Sequence, residues 1–107
     1  MDVIKSGGYK ISALDVERHL LTHPNVVDVA VVGVSDPEWG QLVGAVVVQK
    51  AAAAEREGLT LEELKRWGKD VMPTSWIPRL LVLVDAIPRN AMGKVNKKTL
   101  VKQIFPN

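Results

Sequence analysis

The sequence contains no cysteine. Disulfides, thiol nucleophiles and Cys-ligated zinc or iron–sulfur clusters are therefore excluded. Aromatic residues are scarce, at 5%, and charge is nearly balanced, with 14 Lys+Arg against 12 Asp+Glu for a net +2. So mild an excess does not by itself point to nucleic acid or a membrane surface. The basic residues are also not interleaved with aromatics, as a single-strand binder needs. Long apolar runs are missing too. Val43–Val48 and Leu80–Val84 fall far below the roughly 18 residues of a membrane helix, so no membrane span is expected. Nor does a charged segment followed by an apolar stretch open the chain, so no secretory signal is expected. What remains is 107 residues, 47% hydrophobic and 24% charged. That suits one globular domain over residues 1–107 with one modest core.

The charges are unevenly placed. No acidic residue follows Asp85, whereas Arg89, Lys94, Lys97, Lys98 and Lys102 all do. This basic end reads either as a solvated tail or as an anion site for phosphate or carboxylate.

Local signals set out the elements. Val3–Ser6 and Tyr9–Ile11 are strand-like and flank Gly7-Gly8, a pair suited to the positive backbone angles of a two-residue hairpin turn. Ser12, with Asp15 three residues on, predicts a helix start. Ala13, Val16 and Leu20 form its apolar stripe, and His23-Pro24 closes it. Val26–Val34 and Leu42–Gln49 read as buried strands, antiparallel because the link Asp36–Gly40 is too short for a crossover. Ala51–Gly58 is a loop or a short helical extension. Thr60 with Glu63 caps a second helix whose inner face is Leu61, Leu64, Gly68 and Val71. Leu80–Val84 is a third short buried strand, and Asn96 caps a final helix carrying Leu100, Val101 and Ile104. The order predicts an α+β domain: a small sheet, with a three-stranded core plus the amino-terminal hairpin, flanked by about three helices.

Ile87–Lys98 is the most informative stretch. Gly93 precedes Lys94, but Pro88 stands where a P-loop needs its first glycine, so this is not one. Lys97 and Lys98 fall in the first turn of the last helix, where the macrodipole disfavours cations. Either an anion visits them or their long side chains turn out into water, and spacing favours the water. His19 and His23 are four residues apart, a spacing that can hold a metal. No further ligand lies near, so they read as surface helix residues and no metal site is expected. Trp67 and Trp76 read as core or domain-interface residues, Trp39 as packing over the sheet edge, and Asp85 as a strand-end residue.

Pro88, Arg89, Gly93, Lys94, Lys97 and Leu100 match the pattern Pro-[Arg/Lys]-x-x-x-Gly-Lys-x-x-[Arg/Lys]-x-x-Leu. This resembles the carboxy-terminal signature of the adenylate-forming superfamily: acyl- and aryl-CoA synthetases, luciferases and adenylation domains of peptide synthetases. Asp2–Ile11, followed by Asp15-Val16-Glu17, is similar to the hinge-and-hairpin motif of the same superfamily. Asp15 fills its first acidic position conservatively and Glu17 the second. His23-Pro24, Val29–Gly33 and Gly40-Gln41 also fit, so the resemblance spans essentially the whole chain. Lys-x-Gly-Gly-Tyr-Lys and Pro-Arg-Asn-x-Met-Gly-Lys are nearest in wording to the malonyl-CoA synthetase branch.

The resemblance implies a small mobile carboxy-terminal domain, whose partner in cis is a large amino-terminal domain absent from this chain. The implied reaction joins a small carboxylic acid to CoA through an acyl-adenylate, with ATP, CoA and Mg²⁺, the last bound mainly by the absent domain. It assigns catalysis of adenylation to Lys94 and a hinge to Asp2. Gly7 and Gly8 would let backbone lie against the pantetheine arm. Tyr9 would belong to the same CoA-binding hairpin, while Lys10, and with it Lys5, would meet CoA phosphates. Trp39 stacking on the CoA adenine is the alternative to its edge packing. The family context suggests the mitochondrial matrix, with cytosol as the other option. The chain alone is expected to fold but to lack ligase activity. Competing readings are another adenylate former, such as a carrier-protein ligase, or a free-standing anion- or nucleic-acid-binding module.

Overall fold

The computed structural model describes residues 2–55 and 58–106. The chain runs β1 (Val3–Ser6), β2 (Tyr9–Ser12), α1 (Ala13–Leu20), β3 (Val26–Asp36), β4 (Gly40–Gln49), α2 (Ala51–Ala54), α3 (Leu61–Gly68), β5 (Leu80–Leu83) and α4 (Lys97–Ile104), with one 3₁₀ turn at Thr74–Trp76. This is the expected α+β architecture.

The helix starts form as their sequences dictate. Ser12 Oγ accepts the Asp15 N–H at 3.3 Å, Thr60 Oγ1 the Glu63 N–H at 3.2 Å, and Asn96 Oδ1 the Thr99 N–H at 3.1 Å. Each cap satisfies a backbone donor that the first helical turn leaves free. Helix α1 stops at Leu20 rather than at His23-Pro24, because residues 21–23 close into a turn in which the Thr22 N–H donates to His19 and the His23 N–H to Leu20.

Strand β4 organises one five-stranded sheet. It pairs antiparallel with β3 from Asp36↔Gly40 to Val26↔Gln49, and antiparallel with β1 at Ser6↔Gly40. It also pairs parallel with β5 over Gly44–Val47. The parallel pairing needs a crossover, which α2, α3 and the 3₁₀ turn supply. β5 is not the buried strand its composition suggests. It lies on an open edge, half-buried along its length, and Leu83 is exposed.

β3 and β4 read as unbroken valine runs because both of their faces are covered. Val29, Val31, Val43, Ala45 and Val47 pack under α1 and α3, against Val16, Leu20 and Leu64. Ala30, Val32, Val34 and Val46 pack on the opposite face under Ile87 and Leu100, with α4 lying over them. A bulge at Val27 interrupts the β3–β4 register between Val26 and Asp28. It lets Val26 join the α1-side core while Asp28 keeps the parity of Ala30 and Val32 on the α4 side.

Candidate functional site

Lys94 sits on a built turn rather than a loose loop. The Gly93 N–H donates to the Asn90 carbonyl and the Asn90 N–H to the Lys94 carbonyl, both at 2.9 Å. Asn90 Oδ1 accepts from the N–H groups of Met92 at 2.9 Å and Lys94 at 3.0 Å. Gly93 has φ +81°, a left-handed conformation that closes the turn without a Cβ penalty. Lys94 itself is exposed, and among the described residues its ammonium forms no ion pair. The turn is closed by its own hydrogen bonds, and its lysine side chain points to solvent.

The turn is tied to β3. Arg89 Nη2 donates to both carboxylate oxygens of Asp28, at 2.8 and 3.0 Å, and its Nη1 donates to the Gly93 carbonyl at 3.1 Å. Sequence reasoning picked out Arg89 but missed Asp28. The pair is 61 residues apart, and no local signal joins them.

The second site lies at the other end of the same ribbon. Gly7 (φ +56°) and Gly8 (φ +87°) form the two-residue turn of the β1–β2 hairpin, with Ser6 opposite Tyr9. The Gly7 N–H donates to the Trp39 carbonyl at 2.9 Å, next to the Asp36 end of β3. Asp28 and Asp36, near which the two turns are fastened, lie about 26 Å apart along an extended strand. The glycines differ in their surroundings. A Cβ on Gly7 would lie 2.5 Å from Trp39 Cε3, whereas one on Gly8 would meet nothing within 4 Å. Trp39 therefore does pack over the sheet edge, with the Arg79 guanidinium 4.1 Å from its ring centre. Gly8 is the glycine with open space on its Cβ side.

Lys5 stands directly opposite Lys10 in the hairpin, and both are exposed. Like charges facing each other across two strands are destabilising. An anion bound there would offset that repulsion. Tyr9 is 60% exposed at the same tip, so its ring is not committed to the core.

Asp2 is held by both backbone and side chain. Its carbonyl accepts the Ala13 N–H at 3.0 Å, and its carboxylate pairs with Lys97. Lys97 also pairs with Glu17 at 3.0 Å, and Glu17 accepts the Val31 N–H on the free edge of β3 at 2.8 Å. Neither a visiting anion nor open water explains this lysine in the first helical turn. Two carboxylates of the same domain balance the unfavourable macrodipole, while Lys98 remains exposed.

The two histidines are not a pair of surface helix residues. His23 lies beyond α1 and is buried, edge-on to Trp67 with ring centres 4.9 Å apart. The Asn25 N–H donates to its Nδ1 at 3.0 Å, so that nitrogen carries no proton. Burial holds its pKa below the ordinary value of 6.5, against the opposing pull of the Glu63 carboxylate. His19 is half-buried, stacks edge-on against Trp76 and donates Nδ1–H to the Asp15 carbonyl at 2.7 Å. Trp67 and Trp76 pack against the α1-side core. Among the described residues no three His, Cys, Asp or Glu side chains converge to hold a metal, and no helix is long and apolar enough to cross a membrane.

Comparison with known proteins adds a family. A family model described as the AMP-binding enzyme C-terminal domain matches residues 15–94 and ends on the lysine of the turn. Over 107 residues, all of this chain, the sequence is 53% identical to a Mus musculus protein named malonate–CoA ligase ACSF3, mitochondrial. It is 43% identical to an Arabidopsis thaliana malonate–CoA ligase across 96% of the chain. Each match covers 18% of the relative, so the chain spans under a fifth of the length of these proteins. Among solved structures, apo MatB from Rhodopseudomonas palustris superposes with a TM-score of 0.84 at 27% identity, over 99% of this chain and 21% of that one. The amide bond synthetase McbA from Marinactinospora thermotolerans gives 0.85 at 31% identity, over 97% and 20%.

Proposed function

The chain belongs to the AMP-binding enzyme C-terminal domain family, and on that premise we propose that it is the moving lid of an ATP-dependent malonate–CoA ligase. Its partner is a large amino-terminal domain of the same polypeptide. In the first half-reaction a carboxylate oxygen of malonate attacks the α-phosphorus of ATP, the bond to the β-phosphate breaks, and pyrophosphate leaves. In the second, the CoA sulfur attacks the acyl carbon, the bond to AMP breaks, and the thiol proton passes to solvent.

The single observation that carries this reading is the exposed Lys94 ammonium, without an ion-pair partner among the described residues and presented on a hydrogen-bonded turn. Two anions must meet in adenylation, and a cation held at fixed height can bridge carboxylate and phosphate oxygens and keep them in line. This is electrostatic and positional catalysis. Mg²⁺ on the nucleotide would be held by phosphate oxygens and by ligands of the large domain, since this domain gathers no metal-binding cluster among the described residues.

The separation of the two turns supports alternation. The Lys94 turn is fastened at Asp28, and the Gly7–Gly8 turn at Trp39, just past the opposite end of β3 about 26 Å along the strand, an arrangement that favours the use of one turn at a time. Rotation of the domain between half-reactions, with Asp2 as its pivot, withdraws Lys94 and brings in the hairpin. Gly8 then lets backbone approach the pantetheine arm, Tyr9 borders it, and Lys5 with Lys10 face CoA phosphates. Gly7 contributes by seating the turn on Trp39 rather than by touching CoA.

The mammalian relatives carry the word mitochondrial in their names, and we assign this protein to the mitochondrial matrix. In the full-length protein, Lys94→Ala is expected to abolish ATP–pyrophosphate exchange while conversion of preformed acyl-adenylate to thioester continues. Equal loss of both half-reactions would refute the assignment. A panel of carboxylic acids with ATP and CoA tests the substrate, and a preference for an acid other than malonate would overturn that part.

A further inference from the structure

Between buried Ile87 and buried Leu100 every described residue is exposed except Val95 and Lys97, which are half-buried. Residues 88–94 therefore stand off the core, and Val95, which packs against the α4-side cluster, is the apolar anchor next to Lys94. The turn's internal hydrogen bonds fix its shape, but not its height or tilt over the sheet. The Arg89 guanidinium supplies that. One arm grips the turn at the Gly93 carbonyl, immediately before Lys94, and the other grips both oxygens of Asp28 on β3. The Asp28 carboxylate is itself steadied, because its Oδ1 accepts the Val29 N–H at 2.9 Å. The Val27 bulge leaves Asp28 on the face where the turn lies.

We propose that Asp28 is a positioning residue for adenylation: through Arg89 it fixes where the Lys94 ammonium enters the reaction cleft. This rests on the assignment of Lys94 to adenylation made above. Because Nη2 holds the carboxylate while Nη1 holds the Gly93 carbonyl, one planar guanidinium fixes turn and strand relative to each other, which the single nitrogen of a lysine would not. Errors of about 1 Å in a catalytic group can cost up to about 100-fold in rate. The pair is half-exposed, with side chains 41% and 34% accessible, so its contribution to folding stability is small. Positioning and stability are therefore separable by experiment.

The test is made in the full-length protein with Asp28→Ala, Asp28→Asn, Arg89→Ala, the double variant Asp28→Ala/Arg89→Ala, and Lys94→Ala. Both Asp28 variants are expected to slow ATP–pyrophosphate exchange about 10- to 100-fold, mainly in kcat. Thioester formation from preformed acyl-adenylate should stay within about twofold, and the urea midpoint should stay close to the parent's. Removing Asp28 from the Arg89→Ala background should add almost nothing, because the two act as one unit. Unchanged exchange in Asp28→Ala, equal slowing of both half-reactions, or additive effects in the double variant would each overturn the proposal. Should Lys94→Ala abolish exchange while Asp28→Ala does not, the clamp alone fails. Should Lys94→Ala spare exchange, the reading of Lys94 fails first.

Discussion

The two glycines of the hairpin turn provide a matched pair of substitutions whose difference the structure predicts. Both have positive φ, +56° and +87°, so alanine at either incurs a backbone penalty of about 1–2 kcal/mol, partly offset by an unfolded chain with less freedom. Only at Gly7 does the new Cβ also collide, 2.5 Å from Trp39 Cε3 and 2.7 Å from Cζ3. Retreat of the indole would also give up the Arg79 stacking at 4.1 Å on its ring. Overpacking of this kind costs about 1–3 kcal/mol. Gly7→Ala is therefore expected to destabilise the chain by about 2 kcal/mol more than Gly8→Ala. With an m-value of about 1–3 kcal/mol per molar for a small domain, the urea midpoints should differ by about 1 M. Trp39→Ala should remove most of that difference when combined with Gly7→Ala. Equal midpoints for the two alanine variants, or no relief in the Gly7→Ala/Trp39→Ala chain, would refute the division of the turn into a seated glycine and an open one.

Burial holds the His23 pKa below its unfolded value of 6.5. Its contribution to stability is thus fully present above about pH 6.5 and is lost as pH falls through the folded value. A stability profile between about pH 7 and 5 should be flatter in His23→Gln than in the parent, and an identical slope would count against the buried neutral ring. Leu100, 3% exposed, is the buried anchor of α4 on its face of the sheet. Leu100→Ala should cost about 2–5 kcal/mol in thermal or urea unfolding, and a loss under 1 kcal/mol would show that α4 is loosely docked.

Features written in contiguous residues were legible without a fold. Gly7-Gly8 demanded a two-residue turn, Ser12, Thr60 and Asn96 marked three helix starts, and the valine runs marked two strands covered on both faces. Each of these is a short-range preference of backbone angle, capping or burial, so a few neighbouring residues suffice. The motif around Lys94 belongs to the same class, although the sequence did not reveal that Asn90 Oδ1 closes the turn with two hydrogen bonds. What depended on tertiary structure was every feature whose partner is distant in the chain. The Asp28–Arg89 clamp, the Asp2–Lys97–Glu17 cluster, the burial of His23 against Trp67 and the parallel edge position of β5 all belong here. Charge and hydropathy say that such groups need partners, but which partner each one finds is set by strand register, by a one-residue bulge and by the crossover that returns β5 to β4. Those are properties of the packed sheet, since a single-residue shift in register sends every side chain of a strand to the opposite face.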